Sequence, residues 1–515
     1  MPGIIAFVNA CTLVATVAAT VSLPTSIFAA DPERRPDASG RPNVIVIMTD
    51  DQETTSMPYL PRTRKLLGAR GVTFSNAFVS FPLCCPSRAT YLTGQYAHNH
   101  GVFSNDPPYA YDSFRGKEVL PTLLRDAGYR TIQVGKYLNL YGATDPTEVP
   151  KGWTNWHAPT GITSHWYHGF TMNHDGQLEQ YGSSHDFDPE TYSTDVYRDI
   201  AINQIRNASK TDRPFFLSFS PLAPHGETLA REDGFAFPRA APRHATLFPD
   251  ATAPRTPSFD EADVSDKPPG VRAQKPLQPR GIDNIDRMYR LRLQSLQAVD
   301  EAVASIVQTL QDEKLLRNTY ILFTSDNGFL LGQHRFRHHK YVPYEESIRV
   351  PLLVTGPGLP RGLTSNQLVS NVDLTPTIFD LVGIDVPKGV DGRSLVPFLN
   401  EPNRRFPRIL LLESGPAPSQ GFDLDPLHEL LQLKEPSVRL YQGVRTDTYK
   451  YIEYESGFVE LFDLAKDPYE LISVADDPRY RAVRRLLAAA LELMRDCRGE
   501  RCRVAEARPL AGALA

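Results

Sequence analysis

The sequence predicts an α/β protein built on a large, mixed, mostly parallel sheet flanked by helices, with a smaller C-terminal α+β unit. Short, strongly apolar runs are separated by helical patterns, as expected of a sheet buried on both faces. Each run ends in a polar or charged cluster. After about Arg405 the pattern changes to antiparallel strands followed by an amphipathic helix.

The first run, Val44 to Met48, ends at Asp50 and Asp51, and Thr131 to Val134 ends at Gly135 and Lys136. Phe215 to Phe219 leads to His225. Tyr320 to Phe323 ends at Asp326 and Asn327, and it follows a helix whose stripe Val299, Val303, Ile306 and Leu310 has helical spacing. Open α/β sheets bind ligands beyond the carboxyl ends of their strands, so these clusters are expected to converge on one crevice. From Pro224 to about Asp283 the chain is rich in Pro, Ala and Arg with little periodicity. So long a stretch is either functional or disordered, and it is read as a mobile wall of the pocket. Beyond Arg405, strands are expected at Ile409 to Leu412, Val444 to Tyr454 and Glu460 to Leu464, then a helix near Ala482 to Met494.

With 515 residues, 41% hydrophobic and 22% charged, the chain has room for one large core and a companion. The expected organisation is a signal peptide at 1–30, a linker at 31–40, a catalytic domain at 41–404 and the α+β unit at 405–515. Residues 1–30 carry no charged side chain, and their apolar part is shorter than the ~20 residues of a spanning helix. The protein is therefore expected to be secreted or otherwise extracytoplasmic, in a periplasm or lysosome for example, with no membrane span. A net charge of −5, from 55 basic and 60 acidic residues, gives no global field for nucleic acid or an anionic membrane. Any anion must be gripped locally. Of five cysteines, Cys11 lies in the presumed signal, Cys84 and Cys85 are adjacent, and Cys497 and Cys502 fit a small local disulfide. Asn207-Ala208-Ser209 is a glycosylation sequon of a kind frequent by chance.

The most informative segment is Cys84-Cys85-Pro86-Ser87-Arg88-Ala89-Thr90-Tyr91-Leu92-Thr93-Gly94. Pro86 suits a first helical turn and Gly94 a C-terminal cap, which puts Cys84 at a helix N-terminus, where anions are favoured and thiols activated. Taken alone, a buried structural cysteine explains the position as well. Asp50 and Asp51 after a buried strand repel each other unless a cation or basic cluster neutralises them, and with Asp326 and Asn327 they form an all-oxygen set suited to calcium or magnesium. Each pair taken alone is also an ordinary cap or turn.

The Cys-x-Pro-Ser-Arg-x-x-x-Leu-Thr-Gly pattern resembles the sulfatase signature, in which the first cysteine is oxidised to formylglycine; only Cys84 has Pro and Arg at the right offsets. Gly128-Tyr129-Arg130-Thr131-Ile132-Gln133-Val134-Gly135-Lys136-Tyr137-Leu138 resembles the second signature of the family. The resemblance implies the alkaline-phosphatase-like sulfatase fold and hydrolysis of a sulfate ester by a hydrated aldehyde at position 84. It also implies a maturation partner, a formylglycine-generating enzyme. Catalytic roles fall on Cys84, Arg88, Lys136, His225 and Lys340, and one calcium or magnesium ion on Asp50, Asp51, Cys84, Asp326 and Asn327. His98, His100 and His334 are read as structural.

Many family members carry a histidine where this chain has Leu138, which leaves one hydrogen bond to be supplied elsewhere, Asn139 being the nearest polar side chain. Cys84 to Arg88, Tyr96 to His100 and Gly135 to Asn139 resemble the N-acetylglucosamine-6-sulfatase branch, and no long charged insertion of the endo-acting relatives is visible. The expected substrate is a terminal sulfated sugar or an aryl sulfate. Two other readings stand beside it: a phosphomonoester or phosphonate hydrolase of the same superfamily, and a non-catalytic sulfated-glycan binder if Cys84 stays unmodified.

Overall fold

The structure, a computed structural model, describes residues 40–114, 119–183, 188–227, 231–232, 235–416 and 440–507. The expected signal peptide lies outside the described residues.

Ten strands form the main sheet, in the spatial order Leu363–Ser365, Val72–Phe74, Leu352–Thr355, Thr319–Ser325, Asn43–Thr49, Phe215–Ser220, Arg130–Gly135, Asn155–Pro159, Phe170–His174 and Gln177–Tyr181. The four that matter here are β1 (Asn43–Thr49), β2 (Arg130–Gly135), β3 (Phe215–Ser220) and β4 (Thr319–Ser325). They run parallel, so their carboxyl ends share one edge, and antiparallel pairs occur toward the two sides. Side chains alternate between two apolar layers. Val44, Val46 and Met48 pack with helix α1 (Cys84–Thr93), whereas Ile45 and Ile47 pack with α2 (Ser193–Ala208) and α3 (Pro279–Asp312). Both faces are covered, which is why the strands read as continuous apolar runs. The α3 stripe of Val299, Val303, Ile306 and Leu310 is buried in the second layer.

The smaller sheet is antiparallel, with strands Leu410–Glu413, Tyr441–Arg445, Tyr449–Tyr454 and Val459–Asp463. The single strand expected over Val444 to Tyr454 is instead a hairpin. Thr446 Oγ1 accepts the backbone N–H groups of Thr448 (3.3 Å) and Tyr449 (2.9 Å), closing a turn that carries neither glycine nor proline to mark it. Helix Arg481–Met494 lays Val483, Leu487, Leu491 and Met494 on one face of this sheet, and the other face gives Leu410, Leu412, Ile452 and Phe462 to the core of the main sheet. Cys497 and Cys502 are disulfide-bonded, as the sequence led us to expect. The described part of the long Pro-rich stretch is tied down near α3 and β4: Asp260 N–H donates to Gly332 O (2.9 Å) and His334 N–H to Ser258 O (2.7 Å). Among the described residues no helix is long and apolar enough to cross a membrane.

Candidate functional site

The register of the central strands builds the site. Thr49 pairs with Ser325, so Asp50 and Asp326 leave the sheet side by side. Gly135 pairs with Ser220 at φ +95°, and a Cβ there would sit 2.2 Å from Ser220 O, so only glycine lets β2 end against β3 and deliver Lys136. Asp51 adopts φ +66°, tolerable for aspartate, with its N–H held by Asp326 Oδ1 at 3.0 Å.

Helix α1 supplies the opposite wall. Leu83 is extended, Cys84 is the first helical residue, Pro86 sits in the first turn, and Gly94 closes the helix at φ +64° with Val390 so near that a Cβ would lie 2.9 Å from it. From this helix Arg88 Nε reaches Asp326 Oδ2 (2.8 Å), Nη1 reaches Lys136 O (3.0 Å) and Nη2 approaches Asp50 Oδ2 (3.7 Å).

The residues singled out in the sequence meet here. Lys136 Nζ lies 2.5 Å from Asp50 Oδ2; Lys340 Nζ lies 2.7 Å from Asp51 Oδ1 and 3.0 Å from Cys84 Sγ. Cys84 Sγ is 3.3 Å from Asp50 Oδ1, and Asn327 Nδ2 donates to Asp51 Oδ1 at 2.8 Å. His225 holds Gly226 O with Nδ1 (2.7 Å) and turns Nε2 toward Asp51 Oδ2 (3.6 Å). Asp50, Asp51, Cys84, Arg88, Lys136, His225, Asp326, Asn327 and Lys340 are all buried.

Three carboxylates thus face three fixed cations, and the balance is uneven. Burial works to raise Asp50, but Lys136, His225, Arg88 and Lys340 overcome it and hold the carboxyl well below its usual range. Burial and then the Asp50 charge push Asp326 up to about 6, in spite of Arg88. Burial, reinforced by Asp50, raises the Cys84 thiol well above its usual value, and burial takes Cys85 to about 12. A helix N-terminus was expected to activate the thiol; burial, reinforced by the neighbouring carboxylates, works the other way. The cluster suits a hard divalent ion: ligand atoms of Asp50, Asp51, Cys84 and His225 lie within 4.8 Å of one another, and Asn327 Oδ1 is buried with no hydrogen-bond partner.

Leu138 is in the apolar core and can donate nothing, while Asn139 is buried with its Oδ1 lacking a partner. Two residues escaped the sequence reading. His165 is half-buried with its ring 5.1 Å from that of His225, and Arg292 on α3 bonds the carbonyl of Asp51, the carboxylate of Glu53 and Pro224 O (3.3 Å). A charged residue on the buried face of an amphipathic helix was the available signal for Arg292. His98 and His100 are structural as expected: His98 spans Glu413 Oε1 (2.8 Å) and Cys497 O (2.7 Å), and His100 meets Thr90 Oγ1 (3.0 Å). His334 bonds Glu261 at 2.7 Å and lies outside this cluster.

The sulfatase family model matches residues 42–384, and a model for the C-terminal part of N-sulphoglucosamine sulphohydrolase matches residues 431–497. An arylsulfatase of Volvox carteri is 35% identical over 512 residues, covering 90% of this chain and 76% of the relative. Human N-acetylglucosamine-6-sulfatase is 33% identical over 493 residues, covering 90% and 86%. Among solved structures, one described as a complex with its substrate D-glucosamine-2-N,6-O-disulfate superposes with a TM-score of 0.72 at 24% identity, covering 90% of this chain and 98% of that one.

Proposed function

Because the chain belongs to the sulfatase family and is a sulfuric ester hydrolase, we propose that it works through a formylglycine made from Cys84 and one divalent cation, on sulfated sugars of the glucosamine-6-sulfate type or on aryl sulfates. The observation that carries this is the place of Cys84. It is the first residue of its helix and sits at the centre of the cluster, 3.0 Å from Lys340 and 3.3 Å from Asp50. An aldehyde at this position, hydrated, would supply the attacking hydroxyl and a second one to release sulfate, with a calcium or magnesium ion polarising the ester oxygens.

The chain's own residues do the rest. Asp50, Asp51, Asp326 and Asn327, with the side chain at 84, would hold the ion. Arg88 fixes Asp326 and the turn that carries Lys136. Lys136 and Lys340 place positive charge where the sulfate oxygens must lie, and His225, its Nδ1 held by Gly226 O, or Lys340 protonates the departing alcohol. His165, half-buried beside His225, fills the hydrogen-bonding role left open at Leu138. The names of the relatives and of the solved complex support a sulfated glucosamine. The composition of residues 1–30 and the Cys497–Cys502 bond support export, with a catalytic unit at 41–404 and a companion at 405–515.

Mass spectrometry of the peptide spanning Cys84 from active enzyme tests this directly, alongside rates on the sulfate and phosphate esters of one phenol. The expected result is an aldehyde at position 84, an unmodified thiol at Cys85 and faster sulfate hydrolysis. Active protein with an intact Cys84 thiol refutes the mechanism. A preference for phosphate moves the reading to the phosphoester hydrolases, and inert protein with an intact thiol that still holds sulfated sugar moves it to a binder.

A further inference from the structure

We propose that His334, Glu346 and Glu470 form a second cation site, separate from the catalytic cluster, that takes a borderline divalent ion such as zinc. One ligand atom from each of the three lies within 4.8 Å of the others; two metal–ligand bonds of about 2 Å hold tetrahedral ligands about 3.3 Å apart, so the side chains would close by up to about 1.5 Å on binding. None of the three belongs to the cluster around Asp50.

The histidine is prepared as metal-binding histidines are. Its Nδ1 lies 2.7 Å from Glu261 Oε2, and since a carboxylate only accepts, that nitrogen carries the proton, which in the neutral ring leaves the lone pair on the other. Nε2 is fully buried, has no hydrogen-bond partner, and faces Glu346 Oε2 at 3.9 Å. The Tyr344 ring stacks on the imidazole at 4.0 Å, fixing its plane. A bare acceptor in such a place is costly unless something fills it.

Charge points the same way. Lys267 pairs with Glu261 (3.2 Å), Arg445 with Glu345 (3.0 Å), and Lys450 with both Glu345 (3.0 Å) and Glu470 (2.6 Å). Glu346 has Ser258 Oγ at 3.0 Å and, among the described ion pairs, only His334. With Asp266, which Lys267 also holds (3.1 Å), five carboxylates therefore share three fixed cations. The side chain of Glu346 is 21% exposed, which gives an ion a way in from the surface. One imidazole with two carboxylates favours zinc over calcium, whereas the oxygen set of the catalytic cluster favours the reverse.

The test uses untagged full-length protein carrying Cys84→Ala, so that no thiol in the catalytic cluster competes for zinc. The protein is stripped with chelator, saturated with calcium and titrated with zinc, with heat of binding and bound zinc per chain as readouts. One zinc per chain is expected in the presence of excess calcium, with affinity at least about tenfold lower in Glu346→Gln and lost in His334→Ala. Glu346→Gln keeps the shape of a partly exposed side chain, and an unchanged zinc-free melting temperature shows that it folds; in the Cys84 parent it should leave sulfatase activity unchanged. No zinc uptake, uptake unaltered by Glu346→Gln, or uptake abolished by Asp50→Asn instead would each overturn the proposal.

Discussion

Two buried charge clusters can be set side by side. Around Arg408 the guanidinium meets Asp373 at 2.5 and 2.8 Å and Glu506 at 2.9 Å, Glu506 also accepts the Tyr96 hydroxyl (2.5 Å), and Asp373 takes the backbone N–H groups of Ser370 (2.9 Å) and Arg393 (3.0 Å). Around Asp50, Asn327 Oδ1 lacks a partner, Arg88 Nη2 finds Asp50 only at 3.7 Å, and Asp326 is crowded up to about 6 by burial and the neighbouring Asp50. The core residues of both clusters are buried. The difference lies in completeness: the first closes on itself and joins the small sheet and terminal helix to the body, whereas the second leaves Asn327 Oδ1 and Arg88 Nη2 buried without a hydrogen-bond partner.

The sharpest way to break this comparison is Asp326→Ala. Activity should fall by orders of magnitude and bound calcium or magnesium, measured by elemental analysis, should drop, while the melting temperature moves little. Unchanged metal content and turnover would mean that the cluster around Asp50 binds no ion. The converse change is Arg408→Met, which strands Asp373 and Glu506 in the interior and should cost about 3–5 kcal/mol in denaturant unfolding. The fraction that remains folded should turn over substrate at the parent rate, because nothing in the open cluster has moved.

A smaller effect should appear at His98. Burial works against protonation there, but Glu413 and the Cys497 carbonyl raise the imidazole to about 9. Since the folded value lies above the unfolded one, the stabilisation is complete below about pH 6.5 and is lost as pH rises through about 9. The stability gap between parent and His98→Gln should therefore be widest, about 2 kcal/mol, near pH 6 and should close by about pH 10. A gap constant over that range would show that His98 acts by shape alone.

Much of the main sheet was legible because buried parallel strands announce themselves as apolar runs, and the polar residues ending them mark one edge by topology. Asp50, Lys136, His225 and Asp326 could be grouped on that ground before any coordinate was known. His165 could not, since it sits on a short turn with no periodicity and meets His225 only through the fold. The hairpin at Thr446 was hidden because a side-chain-closed turn needs neither glycine nor proline. His334 was read as structural, yet its value as a ligand rests on Glu261, Glu346 and Glu470, the first 73 residues upstream in sequence.

The contact between the Tyr96 hydroxyl and Glu506 joins residues 410 positions apart, and Tyr96 follows directly on the helix that begins with Cys84. Cys84 itself has no accessible surface. Under the mechanism proposed above, an enzyme that converts this buried side chain would act before the sheet and α1 close over position 84. Synthesis makes the segment early and its last partner late. The interval between the two, set by the distance along the chain, would be the time open to that conversion, and a variant that folds faster around α1 would emerge less completely activated.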